Sequence, residues 1–407
     1  MGDDGNMPVY VRMSSRDPEE RHRASTPLEL FFDLTFVVAV AEAGSAFQRG
    51  LVEGRAGTVL IGYPLIFFAI WWAWMNFSWF SSAYDTDDVV YRVAVLVQMT
   101  GVLVVAVGIP RALATRDFAV ILVGYLIMRM AMVGLWLRAA VSQPAGRPTA
   151  LRYAVGIVVV EAGWVAWFFL VPRGAAVWVF LVLAAAELSV PIFAEAAGRT
   201  AWHPGHMAER YRLFTIIVLG EAISAGTLAV NDAISAKTTF PDLATVIIGG
   251  LLTVFSMWWL YFDMPSEEIA AAARRSFTNR LNGAFTWGYG HYFVFASVAA
   301  TGAGLAVAVD QASHHSDLSR LETAFCLTVP VSVYILMAWA LHVRYKPPGV
   351  LRTWGAPVTV VLVLGGSVTS QPVLVTGLLL SILLALTLVF GVGRSGTRDE
   401  AAVETTG

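Results

Sequence analysis

From residue 28 to residue 391 the chain is an almost unbroken series of apolar stretches, each about 20 residues long, the length a helix needs to cross a bilayer. They fall at 28–48, 58–81, 90–109, 117–137, 152–171, 175–196, 207–229, 243–262, 282–309, 321–343, 351–366 and 371–391. In hydrocarbon no water satisfies the backbone, so only helices and closed barrels can span it. Runs of this length without two-residue alternation predict helices. The expected fold is therefore all-α, a polytopic transmembrane bundle of about twelve spans. Composition agrees: 57% of residues are hydrophobic, 14% are charged, and the mean hydropathy is +0.66. Soluble domains are about a quarter charged, so the water-soluble class is excluded.

Residues 1–24 and 393–407 are polar and charge-mixed, and both are expected to be disordered tails. The first lacks an apolar core of signal-peptide type, so no cleavable leader is expected. Placing the N-terminus inside puts most of the 27 lysines and arginines in inside segments. By the positive-inside rule this predicts a multi-pass protein of the cell membrane with both termini cytoplasmic. A net charge of −2 without a basic cluster gives no reason to expect nucleic acid. Membrane lipid is the expected surroundings, and assembly into a homo-oligomer is left open. The single cysteine, Cys326, allows neither an intrachain disulfide nor a cysteine metal site. No catalytic triad, phosphate-cradling loop or zincin motif occurs, so neither an enzyme nor a cofactor is expected.

The chain carries signs of internal duplication. WWAWMN (71–76) matches WWLYFD (258–263), which sets Asn76 opposite Asp263, and RPTALR (147–152) resembles PPGVLR (347–352). Between them Glu29 aligns with Glu209, Thr35 with Thr215, and Glu42 one residue off Glu221. Two six-helix repeats, 25–200 and 201–392, are expected in parallel orientation, because six spans return the chain to the side it started from.

Charged residues inside apolar spans carry the functional signal, since such groups are costly in a bilayer. Thr26-Pro27-Leu28-Glu29 reads as a capping box with proline at the first helical position, so Glu29 has a structural explanation as well as a functional one. Asp33 lies one turn deeper on the same face. Glu42 lies about 20 Å further along than Glu29 and about 140° around the helix. Glu209, Arg212 and Glu221 repeat the pattern in the seventh span. Asp33, Glu42, Glu221, Glu29 and Glu209 are the candidate ion or transport pathway. Arg129, Glu161 and Glu187 lie mid-span and, with Arg212, are candidates for a buried ion pair or gate, or simply for helix packing. His206, Asp263 and His291 are secondary polar sites. His203, His206 and Glu209 are spaced as metal ligands can be, but Pro204 and Gly205 interrupt the helix between the histidines, and no metal is expected. The tryptophans at 71, 72, 74 and 79 read as interface belt and core filling, with a ligand wall as the alternative.

PLELFFDLTFVVAVAEA (27–43) and HMAERYRLFTIIVLGEAISA (206–225), followed by WWLYFD, resemble the two signatures of the bacterial low-temperature-requirement A family, over roughly residues 22–392. The resemblance implies a polytopic bacterial membrane protein linked by name to growth in the cold. The family pattern falls on Glu29, Phe31, Phe32, Asp33, His206, Glu209, Arg210, Gly220 and Glu221. More distantly, Glu29, Phe31, Asp33 and Phe36 are spaced like the first-helix signature of potassium channels built from six-helix repeats. Here Phe32 stands where those channels have serine.

The leading expectation is a carrier for an unidentified small solute or ion, proton-coupled in one version, in which Asp33, Glu42 and Glu221 face a hydrated interior. The alternatives are an ion channel, a non-transporting envelope component, and a metal-dependent intramembrane lipid enzyme using His206 and Glu209.

Overall fold

The computed structural model describes residues 7–16, 24–236, 238, 240–263, 281–314, 316–342 and 349–392. These hold twelve helices: α1 (Pro27–Val52), α2 (Ala56–Ala83), α3 (Val89–Thr115), α4 (Ala119–Ser142), α5 (Arg147–Leu170), α6 (Ala176–Glu195), α7 (Pro204–Ser235), α8 (Phe240–Phe262), α9 (Leu281–Ala312), α10 (Arg320–His342), α11 (Val350–Gly366) and α12 (Pro372–Val392). The all-α polytopic expectation is met. Eleven of these helices are long and apolar enough to cross a membrane, and α11, with 17 residues, is the shorter one. Their outward faces stay apolar: Val107 on α3, Val141 on α4 and Leu170 on α5 are 76%, 71% and 76% exposed. Water would leave that surface unfavourably hydrated, whereas lipid chains match it.

Helix ends follow local chemistry. At α1 the capping box forms as expected: the Thr26 N–H donates to Glu29 Oε2 at 2.8 Å, and the Glu29 N–H donates to Thr26 Oγ1 at 3.2 Å. Pro204 opens α7, and the His203 ring Nδ1 accepts the His206 N–H at 3.0 Å, filling the capping position. The third span, expected to end at residue 109, continues through Pro110 to Thr115. It stops at Arg116, whose φ of 59° and N–H bond to the Ala112 carbonyl form a left-handed cap.

The chain divides into two compact units, Met1–Gly50 with Ala56–Ile217, and Leu51–Arg55 with Val218–Gly407. The boundary between these compact units falls inside α7. The first half of α7 carries His206 and Arg210, whose partners are on α1. In the first unit α3 packs on α4, α4 on α5 and α5 on α6. In the second, α9 packs on α10 and α8 on α12.

Small residues set these approaches. A Cβ on Gly124 of α4 would meet the Gly101 carbonyl of α3 at 2.6 Å, and one on Gly304 of α9 would meet the Cys326 carbonyl of α10 at 2.2 Å. Between apolar helices in lipid there is no hydrophobic drive, so such close backbone contact supplies packing energy.

Residues 7–16 correct part of the expectation of a disordered N-terminal tail; 1–6, 17–23 and the tail 393–407 lie outside the described residues. Strand β1 (Ser14–Ser15) pairs antiparallel with β2 (Tyr84–Asp85). Arg16 donates its N–H to the Ala83 carbonyl at 3.0 Å, and Val89 donates to the Pro8 carbonyl at 3.2 Å. Asp88 and Arg138 clamp the segment. Asp88 Oδ2 accepts the Val11 N–H at 2.7 Å, Arg138 Nη2 donates to the Val11 carbonyl at 2.7 Å, and Arg138 and Asp88 form a direct ion pair. Arg138 also lies over the Tyr10 ring, 4.7 Å from its centre. Polar composition alone suggested disorder, but these partners satisfy the segment's backbone.

Gly304→Val is expected to destabilise the detergent-purified protein by about 1–3 kcal/mol through overpacking against backbone. Gly365→Val, where an added Cβ meets nothing within 4 Å, should leave the melting temperature unchanged. Burial raises the Asp88 carboxyl, but bonds from Arg138 and from the Tyr91 and Val11 N–H groups outweigh it and hold that carboxyl below the usual range. Its stabilisation is then fully present above about pH 4, the ordinary aspartate value, and fades as pH falls through the lower native value. Asp88→Asn should cost about 3–5 kcal/mol at neutral pH and flatten that acid limb in thermal melts.

Candidate functional site

The first unit buries two polar clusters. In the first, α1 supplies Glu29 and Asp33 from one face, α2 supplies Trp74 and Ser81, and the start of α7 supplies His206 and Arg210. Arg210 grips Asp33 with two bonds, Nε to Oδ2 at 3.1 Å and Nη2 to Oδ1 at 2.5 Å. Its Nη1 reaches Glu29 Oε1 at 3.4 Å and Ser81 Oγ at 3.3 Å. The Trp74 indole N–H donates to Asp33 Oδ1 at 2.7 Å, and His206 Nε2 lies 3.3 Å from Glu29 Oε2. Asp33, His206 and Arg210 are wholly buried.

The second cluster joins α2, α4, α5 and α6. Arg129 donates from Nε to Glu161 Oε1 at 3.0 Å and from Nη2 to Glu187 Oε2 at 2.8 Å. Glu187 also accepts the indole N–H of Trp72 at 2.8 Å and of Trp164 at 3.3 Å, and the Tyr125 hydroxyl at 3.5 Å. Two atoms of this buried cluster have no hydrogen-bond partner, Arg129 Nη1 and Glu161 Oε2. Both clusters set two carboxylates against one guanidinium. The first adds an imidazole that can carry a second positive charge.

The sequence reading is thus sorted by the structure. Arg129, Glu161 and Glu187 come together as expected. Glu29 joins Asp33, and Asp33 ends in a buried ion pair. Its arginine is Arg210, not Arg212, which is half-buried elsewhere on α7. Glu209 is half-buried and accepts the Ser25 N–H at 3.2 Å. Glu42 and Glu221 are half-buried and belong to neither cluster. His203 and His206 serve different partners, a helix cap and Glu29. In the second unit, His291 Nδ1 bonds the Trp287 carbonyl at 2.8 Å and Nε2 bonds the Tyr261 hydroxyl at 2.9 Å, while Asp263 is exposed at the end of α8. Sequence reading missed Trp72, Trp74 and Trp164 as hydrogen-bond donors to buried acids. The available signal was their alignment with mid-span acids, since a buried indole N–H seeks an acceptor.

The model of the bacterial low temperature requirement A protein (LtrA) family matches residues 24–392. The chain belongs to that family. The LtrA match takes in all twelve described helices and both clusters. The uncharacterized protein RA0937 of Rhizobium meliloti (strain 1021) is 26% identical over 302 residues, covering 71% of this chain and 70% of that protein. No solved structure matches. Within this LtrA chain, removing one member of a buried pair leaves an uncompensated charge. Arg210→Gln and Asp33→Asn are each expected to cost about 3–5 kcal/mol. The double variant should cost clearly less than their sum, as a double-mutant cycle of thermal melts would show.

Proposed function

We propose that this protein is a proton-coupled carrier for a small solute or ion, with the buried Arg129–Glu161–Glu187 cluster as the group that holds and releases the proton. The observation that carries this reading is two buried carboxylates on one arginine, with one oxygen of Glu161 left without a partner. With both acids ionised, Glu161 and Glu187 on Arg129 hold one negative charge in excess, which is costly in a low-dielectric interior. One proton or monovalent cation near Glu161 neutralises it. Gaining or losing that charge changes what the surrounding helices must solvate, which is the lever a transport cycle needs. In this reading Arg210 with Asp33 is a lock, and the half-buried Glu42 and Glu221 belong to the pathway.

The remaining expectations enter on the same footing. The charge distribution supports both termini on the cytoplasmic side, and the aligned acids of the first and seventh helices support a duplicated origin. A role in growth at low temperature rests on the family's name. The test is proton movement in proteoliposomes carrying an internal pH dye, scanned against a panel of solutes under an imposed pH gradient. Wild type should couple at least one solute to protons, and Glu161→Gln and Glu187→Gln should each slow that flux clearly. Equal coupled flux in both folded variants refutes the proposal.

A further inference from the structure

The C-terminus of α4, the start of α5 and the C-terminus of α6 meet at one end of the first unit. Four arginines gather there. A helix C-terminus presents unpaired carbonyls that favour cations, and three of the four arginines bond carbonyls at these ends. Arg12 Nε donates to the Ser142 carbonyl at 2.7 Å, Arg147 Nε to the Ala140 carbonyl at 3.0 Å, and Arg152 Nη1 to the Phe193 carbonyl at 3.2 Å. The fourth, Arg199, follows Gly198, whose carbonyl accepts the Thr149 hydroxyl at 2.8 Å, so it is held beside the first turn of α5. A guanidinium has five N–H donors, and one carbonyl bond leaves most of them unused. Among the described residues none of the four is bonded to a carboxylate. Two acids at this end are already occupied. Glu195, which feels the charge of Arg199, is buried and accepts the Tyr153 hydroxyl and both the N–H and the hydroxyl of Thr200, while Asp88 is paired with Arg138. Arg12, Arg147 and Arg199 are exposed, so this end carries a surplus of accessible positive charge.

The helix surface that leads away from these arginines is apolar and turned outward. Leu151, Val155, Val158 and Val159 fall on one face of α5, and all four are exposed. Arg152 lies over the ring of Phe193 on α6, 4.9 Å from its centre, and Phe193 is itself 54% exposed. We propose that this end of α4, α5 and α6 binds an anionic phospholipid, with its phosphate among Arg147, Arg152 and Arg199 and an acyl chain along the exposed face of α5. Guanidinium forks match phosphate oxygens in geometry as well as charge. A zwitterionic headgroup brings a cation of its own into a surplus of positive charge and gains less. A soluble anion meets the arginines but has nothing to lay on the exposed valines. An anionic phospholipid uses both features, and the change from arginine to valine along α5 matches its change from headgroup to hydrocarbon.

Native mass spectrometry of the delipidated full-length protein tests this, with phosphatidylglycerol and phosphatidylcholine of identical acyl chains as the probes. The first phosphatidylglycerol is expected to bind at least about tenfold more tightly than phosphatidylcholine. Arg199 makes no hydrogen bond among the described residues, so Arg199→Gln probes the site without disturbing a helix end. It should weaken phosphatidylglycerol binding about fivefold and leave phosphatidylcholine binding unchanged. The double variant Arg152→Gln/Arg199→Gln should weaken it more than about tenfold, whereas Arg49→Gln, at the C-terminal end of α1, should change nothing. Equal binding of the two lipids, or unchanged phosphatidylglycerol binding in the folded Arg199→Gln protein, overturns the proposal. Displacement of the lipid by glycerol 1-phosphate as effectively as by phosphatidylglycerol also overturns it, marking a site for a soluble anion instead. The measurement involves no transport, so its failure leaves the carrier reading standing, and absence of coupled flux leaves this site standing.

Discussion

An ion in hydrocarbon persists only beside its opposite, and a guanidinium is suited to that task because its charge is permanent and its five donors lie in one plane. Arg129 and Arg210 are the two fully buried arginines of the described structure, and each gathers acids from other helices. Arg210 binds α7 to α1, and Arg129 binds α4 to α5 and α6. In a bilayer, where apolar side chains are as content with lipid as with each other, these polar ties and the close glycine contacts carry the specificity of packing.

The two clusters differ in completeness. Around Asp33 both carboxylate oxygens are occupied, by an arginine fork and a tryptophan. Around Arg129 one guanidinium nitrogen and one Glu161 oxygen lack partners. The first arrangement suits a brace. The second leaves room for a moving proton. That contrast is the reason the functional reading shifts from the opening helix, where the sequence drew attention, to the helices that follow it.

Much of the architecture was visible beforehand because its causes are local. Hydrophobic run length predicted the helices, the Thr26–Glu29 box fixed the start of α1, and glycine-rich runs such as 301–304 marked close approach. Arg129 with Glu161 and Glu187 was legible because mid-span charge has few alternatives. The partner of Asp33 was not, since Arg210 lies 177 residues away and no periodicity links positions so distant. Asp88 and Arg138 were hidden in a similar way, as one looked like loop acidity and the other like a cytoplasmic positive charge. The order in residues 7–16 draws on those two and on backbone bonds to residues 83–89, none of them near in sequence, so it escaped as well.

That clamp bears on how the chain is made. Residue 12 bonds the carbonyl of residue 142, and residue 11 bonds the side chain of residue 138, so the leading segment has no complete seat until the fourth helix has left the ribosome. It must wait, unlatched, on one side of the bilayer while three helices insert. It can then latch only if the turn after α2 and the end of α4 emerge on that same side, so a chain in which one of the first four helices failed to insert would keep its leading end loose.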